Sequence, residues 1–277
     1  MKMRKFIKDW VYGSRIVKIL RLLKCNQNNL IWFVGDFNSW QSAANKCVGY
    51  DDVAILHKVL SATLRVKRGE AAFERDSVVF DQIQYSWPTL SALMWSAARN
   101  QGRLNVLDFG GSLGSSYFQC SKFLKDLGEV SWSIVEQKHY VAAGRQHVQD
   151  NVLRFFETVD ECLTYKKPDV ILLSGVLQCI PDPWELLSQL IALGCDTVIL
   201  DRTSYINNGE RERISIQHVP PSIYPASYPC RFFVENDVIS LFSNAGYELV
   251  ESFNALDELD ASATWKGHIF IRRGSRD

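Results

Sequence analysis

The segment Val106-Leu-Asp-Phe-Gly-Gly-Ser-Leu-Gly114 decides how the rest of the chain is read. An apolar run leads into Asp108 and Phe109, glycines follow at 110, 111 and 114, and the spacing of Ser115–Leu127 predicts a helix straight afterwards. Glycines let the backbone turn tightly and come close to a ligand. The first N–H groups of the following helix have no partner within it, so they face whatever binds there. The next apolar run, Trp132–Glu136, ends in an acid 22 residues after Gly114, with Gln137 beside it. A carboxylate at that point can accept hydrogen bonds from both hydroxyls of an adenosine ribose.

Outward from this turn the pattern alternates strand and helix, the mark of a parallel sheet. Strands are predicted at Leu104–Phe109, Trp132–Glu136, Val152–Phe156, Asp169–Ser174 and Thr197–Asp201. Amphipathic segments, Ser115–Leu127, Tyr140–Asp150 and Trp184–Leu193, lie between them. Residues 202–231, rich in Pro and Tyr, read as a long irregular stretch. A helix over Val234–Ala245 and an antiparallel pair, Tyr247–Phe253 with Thr264–Arg272, complete the pattern. The expected fold class is α/β: a doubly wound, mostly parallel, seven-stranded Rossmann-like sheet with an N-terminal helical extension.

Ahead of the sheet, residues 31–102 read as mostly helical. Asp51 or Asp52 can cap a helix carrying Ile55, Leu56, Val59, Leu60 and Leu64 at helical spacing. Pro88 opens a second helix, Thr89 to Asn100, which Gly102 ends. Between them ERDSVVFDQIQYSW (74–87) reads as a polar-aromatic loop. Residues 1–24 carry eight basic side chains against Asp9, a net of +7, so the remainder carries −7 although the whole chain sums to zero. Their apolar residues alternate with Lys and Arg, which suits either a helix lying on an anionic membrane or one docked on the body with its charges solvated. Three parts follow: a basic amphipathic segment (1–30), a helical lead-in and lid (31–102) and a ligand-binding domain (103–277).

With 47% hydrophobic and 22% charged residues, the 277-residue chain has a globular composition. Disordered, collagenous and disulfide-stapled classes are thereby excluded. Charge neutrality argues against a nucleic-acid partner. The seven cysteines are scattered with no C-x-x-C pair, and the five histidines show no ligand spacing, so no metal is expected. Charges interrupt any signal-peptide core, and no apolar stretch reaches the roughly 18–20 residues of a membrane span. A cytoplasmic protein is expected, peripheral at the inner membrane face if the basic head engages lipid.

Two nucleoside cofactors use a glycine-rich strand–helix turn with an acid on the next strand. A dinucleotide needs G-x-G-x-x-G to admit its pyrophosphate, whereas this chain has G-G-S-L-G. A carboxylate at Asp108 would repel a pyrophosphate and tolerate the cationic end of S-adenosylmethionine. LDFGGSLGSSYFQ (107–119), VEQKHYVAAG (135–144), LLSGVLQCI (172–180) and FSNAGYELVESF (242–253) resemble class I S-adenosylmethionine-dependent methyltransferases. More narrowly, GYDD (49–52), FERDSVVFD (73–81), DRTSY (201–205) and QHVPPSIYPASYPCRFF (217–233) resemble bacterial methyltransferases associated with surface-polysaccharide gene clusters, O-antigen or capsule. The resemblance spans about residues 32–272 and leaves the basic head outside.

What the resemblance implies is S-adenosylmethionine held by Asp108, Gly110, Gly111, Ser112, Gly114, Glu136, Gln137, Ser174 and Gly175. Ser112 stands where a glycine is usual, and for the adenine contact Thr158 and Asp160 are the candidates. Its substrate would be a small-molecule or lipid-linked saccharide, methylated on oxygen as a surface-glycan or nucleotide-sugar precursor. Methylating a sugar hydroxyl calls for a base at the carboxyl ends of the strands. His218, Asp201 and Asp76 are the candidates, with Glu74 and Arg75 completing the cluster around Asp76 as a lid. Tyr85, Arg202, Tyr205, Tyr224, Tyr228 and Arg231 are expected to bind substrate by stacking and by bidentate bonds to phosphate. The alternatives are an inactive adaptor in a membrane-associated glycan assembly and an NAD-dependent oxidoreductase. No Tyr-x-x-x-Lys pair supports the latter.

Overall fold

Val170-Ile-Leu-Leu-Ser174 is apolar until its last residue because the strand it forms is covered on both faces, as strands of a parallel sheet must be. The computed structural model describes residues 31–48, 53–207, 211–257 and 262–274. The basic head and the Asp51/Asp52 cap lie outside the described residues. In chain order the strands are β1 (Trp32–Val34), β2 (Phe73–Arg75), β3 (Val78–Phe80), β4 (Arg103–Phe109), β5 (Glu129–Val135) and β6 (Leu153–Phe156). They continue with β7 (Val170–Ser174), β8 (Thr197–Ile206), β9 (Arg213–Val219), β10 (Ala226–Phe232), β11 (Tyr247–Asn254) and β12 (Ala263–Arg272). The α-helices are α1 (Trp40–Ala44), α2 (Val53–Lys67), α3 (Trp87–Arg99), α4 (Ser115–Leu124), α5 (Lys138–Ala143), α6 (Val159–Tyr165), α7 (Pro183–Ala192) and α8 (Glu235–Asn244).

The main sheet has seven strands in the order β11-β12-β8-β7-β4-β5-β6. β4 to β8 are mutually parallel, and β12 runs antiparallel between β8 and β11. This is the doubly wound Rossmann-like sheet predicted from the sequence. In the closing pair the second strand lies inside the sheet and the first takes the edge. Side-chain alternation along β4 divides the core. Leu104, Val106, Trp132, Ile134 and Leu172 pack on one face with Ile55, Leu93 and Tyr140. Leu107, Val135, Ile171, Leu173 and Leu200 pack on the other with Leu187, Leu190 and Phe242. Each such side chain contributes about 1.5–3 kcal/mol on burial. The chain moves outward from β4 through β5 to β6 and returns as β7 on the other side. The carboxyl ends of β4 and β7 therefore flank a switch-point crevice.

Three expectations are corrected. Residues 202–231 are not one irregular stretch: β8 continues to Ile206, and β9 and β10 form an antiparallel sheet with β1, in the order β1-β9-β10. The prolines concealed this, but Pro229 sits in an edge strand, where a missing N–H is tolerated. The 74–87 loop contains a hairpin, β2 with β3, whose two turn residues Asp76 and Ser77 both have positive φ (52° and 68°). Two-residue hairpin turns of this kind match the twist of the strands they join. The helix expected over Tyr140–Asp150 is α5 followed by a π turn, Gly144–Val148.

Candidate functional site

After Phe109 the backbone enters the left-handed region three times, at Gly110 (φ 69°), Ser112 (φ 54°) and Gly114 (φ 102°). A Cβ on Gly110 would lie 2.3 Å from Val176 Cγ2 and 2.8 Å from Val176 Cβ, so only glycine fits. A Cβ on Gly111 would lie 2.5 Å from the carboxyl carbon of Asp108. Ser112 adopts its unusual conformation while its N–H donates to Glu136 Oε1 at 3.2 Å. The Gln137 N–H donates to Glu136 Oε2 at 2.7 Å. Burial pushes the Glu136 carboxyl above the usual carboxylate range, and these two amides oppose that shift. A carboxylate has about four acceptor positions, so each oxygen keeps one for a ligand.

Between this loop and the β2–β3 hairpin lies a cavity of about 490 Å³, within the range of small-molecule sites. Gly110, Gly111, Ser112, Glu136, Gln137, Ser174 and Gly175, all expected from the sequence, line it. Glu157, Thr158 and Val159, which follow the edge strand β6, also line it. The Thr158 hydroxyl there caps α6, accepting from the Glu161 N–H at 3.1 Å. Asp160 is not among the lining residues. Glu74, Arg75, Asp76, Ser115, Cys179, Arg202, Tyr224 and Tyr228 line it as well.

Asp108 and Gly114 do not reach the cavity. Asp108 shares its strand face with Val106, is wholly buried, and lies beneath Gly111. Trp132 Nε1 donates to its Oδ2 at 2.9 Å, while Oδ1 has no hydrogen-bond partner. Burial pushes its carboxyl up to about 7. It supports the loop from below and is not a charge presented to ligand. That removes the electrostatic reason given from the sequence for rejecting a pyrophosphate. Gly114 opens α4 and packs on Leu153.

Of the three proposed bases, Asp76 alone lines the cavity. His218 lies in β9 opposite Trp32, with the two rings stacked at 4.9 Å. Asp201 is buried in β8, where it accepts from the Thr89 hydroxyl at 3.2 Å and from the Arg202 N–H at 2.9 Å. Among the substrate candidates, Arg202, Tyr224 and Tyr228 line the cavity. Tyr85 packs on Trp87 and Phe123. Tyr205 is buried with its hydroxyl 3.2 Å from His268 Nδ1. Arg231 is spent on Glu212 (2.6 Å) and the Pro181 carbonyl (3.0 Å). Arg202 holds Asp76 at 2.8 Å and Asp257 at 2.8 Å, with Arg75 4.0 Å from Asp257. Neither expected arginine is therefore left for bidentate phosphate binding.

Glu74 is the residue whose weight the sequence did not reveal. It is 1% exposed yet lines the cavity, accepts from the Ser115 hydroxyl at Oε1, and has no hydrogen-bond partner at Oε2 among the described residues. Its signal, an acid within a Phe-flanked run, was present, but the partner lies 41 residues away. Among the described residues no group of three or more His, Cys, Asp or Glu is arranged to hold a metal ion.

Fold and site together define a Rossmann-like α/β protein with a glycine-loop pocket at the carboxyl ends of its parallel strands. No protein-family model and no curated protein matches the chain. Solved structures with a similar course include the N-terminal domain of EvdMO1, crystallised in the presence of SAH and D-fucose, at 18% identity over 78% of this chain and 97% of that one, TM-score 0.46. Magnesium protoporphyrin IX methyltransferase from Synechocystis PCC 6803, with bound SAM, is similar at 16% identity over 80% and 99%, TM-score 0.45. A Burkholderia thailandensis 1,6-didemethyltoxoflavin-N1-methyltransferase is similar at 15% identity over 90% and 97%, TM-score 0.43. The fold itself follows from strand order and direction within this sheet.

Proposed function

We propose that the chain is an S-adenosylmethionine-dependent methyltransferase acting on a hydroxyl of a small saccharide, a precursor of a surface glycan. The observation that carries the cofactor reading is the Glu136 carboxylate, fixed by two backbone amides beside a glycine loop and still holding acceptor positions toward the cavity. The pocket fits the group in two further respects. A Cβ at Gly110 would collide with Val176 at the cavity wall, so the loop stays bare there. Glu74 stands beside the first residue of the helix the loop opens, where a pyrophosphate would sit and an ionising carboxyl is unfavourable. The dinucleotide alternative is disfavoured on that ground, in place of the one based on Asp108.

Bound S-adenosylmethionine supplies a methyl group on a sulfonium sulfur, open to in-line attack. Glu136 and Gln137 would hold the ribose, Glu157, Thr158 and Val159 the base, and Gly110, Gly111, Ser174 and Gly175 the amino-acid end. Tyr224 and Tyr228, which line the cavity, would bound the acceptor, and much of the acceleration comes from positioning of this kind. Asp76, tied at one oxygen by Arg202, is the proposed acceptor of the hydroxyl proton. With Arg202 already paired, the pocket favours an uncharged sugar over a phosphate at the reacting end.

The +7 segment of residues 1–24 would hold the protein at an anionic inner leaflet if its acceptor is lipid-linked. Among the described residues no helix is long and apolar enough to cross a membrane. Incubation with methyl-labelled cofactor and a glycan-precursor fraction tests the activity. Label in a saccharide product, lost in Glu136→Ala, is the expected result. No label in any fraction, with the cofactor still bound, would turn the reading to the inactive adaptor.

A further inference from the structure

We propose that Glu74 is the anionic partner of the cofactor's α-ammonium group and releases a proton to solvent when the cofactor binds. The inference rests on the cofactor reading above and assigns to Glu74 the place that Asp108 cannot take.

Four observations carry it. Glu74 is almost wholly buried while lining the cavity, and its Oε2 has no hydrogen-bond partner among the described residues. Its other oxygen is held by Ser115, the first residue of the helix that the glycine loop opens, so the carboxyl stands beside that loop. Glu136 follows β5 on one side of β4, whereas Arg202, which holds the hairpin through Asp76, lies in β8 on the other, so the Glu74 side is left for the amino-acid portion of the ligand. Among the described residues no basic side chain forms an ion pair with Glu74: Arg202 is divided between Asp76 and Asp257, and Arg75 lies toward Asp257. On α2, which packs against the hairpin, Lys58 reaches the Ile223 carbonyl and Lys67 those of His147 and Val148. A buried carboxyl with an open acceptor atom is satisfied by a ligand cation.

The protonation state follows from the surroundings. Burial pushes the Glu74 carboxyl up to about 7; Asp76 adds to the rise, and Ser115, the Ser77 amide and Arg202 oppose it. Near neutral pH roughly half the free protein carries a proton there. An ammonium placed beside it favours the ionised form. The proton leaves for the buffer, and the carboxylate pairs with the cation. Affinity then rises with pH through the neutral range, close to tenfold per unit at the acidic end, and falls again where the ligand's own ammonium gives up its proton.

Calorimetry on the full-length protein at pH 7, in phosphate and in Tris, reads proton release from the difference in apparent enthalpy. S-adenosylhomocysteine should release about half a proton, and so should its decarboxylated form, which keeps the ammonium. 5′-Methylthioadenosine, which lacks the amino-acid end, should release none, a comparison that needs no variant. Glu74→Gln, checked for native folding by its melting curve, should bind S-adenosylhomocysteine at least tenfold more weakly at pH 8 and without release. Equal release with 5′-methylthioadenosine, or unchanged release in Glu74→Gln, would overturn the assignment. Heat without any release would leave the cofactor reading standing and reject this one; no heat with S-adenosylhomocysteine would reject both.

Discussion

Asp108 illustrates how one residue's role depends on which way its strand turns it. A carboxyl held near 7 in the fold and at 3.8 when unfolded stays protonated in the native protein while the unfolded chain ionises. Stability therefore falls as pH rises from about 4 to 7 and stays low above, and Glu74 acts in the same direction. Asp108→Asn should then melt higher than the parent at pH 8, by a gain of about 1–3 kcal/mol, and no higher at pH 4. Equal melting shifts at both pH values would argue against a protonated Asp108. Gly110→Ala should cost about 2–4 kcal/mol in urea unfolding, since it meets Val176 and strains a positive φ. The glycines, Ser112 and Glu136 were legible because strand-end and turn chemistry are local. The burial of Asp108 was legible in principle, since its alternation with Val106 points it to the core. Glu74 was harder to weigh because its contact with Ser115 joins distant parts of the chain.

At the scale of elements, the β2–β3 hairpin forms one wall of the cavity and is fastened by ion pairs. Arg202 has a positive φ (54°), and its guanidinium bridges Asp76 of the hairpin turn to Asp257. Arg202→Met keeps the bulk, leaves Asp76 without its cation and leaves Asp257 only the more distant Arg75. Unfolding measurements should show a loss of about 2–4 kcal/mol that shrinks as pH falls and Asp257 is protonated. Because Arg202 holds Asp257 well ionised, its stabilisation is present at neutral pH and lost through the acidic range. A variant as stable as the parent would mean that the pairs do not fasten the hairpin. Ser77→Gly, at the other positive-φ turn position, should raise stability by about 0.5–1 kcal/mol. The parallel strands were legible because fully covered strands are continuous apolar runs. β9 and β10 were not, because prolines punctuate a stretch whose alternation, Ile214-Ser215-Ile216-Gln217, is that of an ordinary strand.

Across the whole molecule, zero net charge is the sum of a +7 head and a −7 body. The body contains the sheet and the pocket, so removing residues 1–24 should leave S-adenosylhomocysteine affinity within twofold. Co-sedimentation with phosphatidylglycerol vesicles should disappear in the truncated chain. Equal vesicle binding with and without the head would place the contact elsewhere. The seven-stranded order, the glycine loop and Glu136 converge on one central claim, a pocket for S-adenosylmethionine at the switch point. Its most direct test is titration of S-adenosylhomocysteine into the folded full-length protein. Saturable one-to-one binding, weakened at least tenfold by Glu136→Ala and absent with NADH, is the predicted result. A folded protein that shows neither heat nor a melting shift with S-adenosylhomocysteine, or that binds NADH instead, would contradict it.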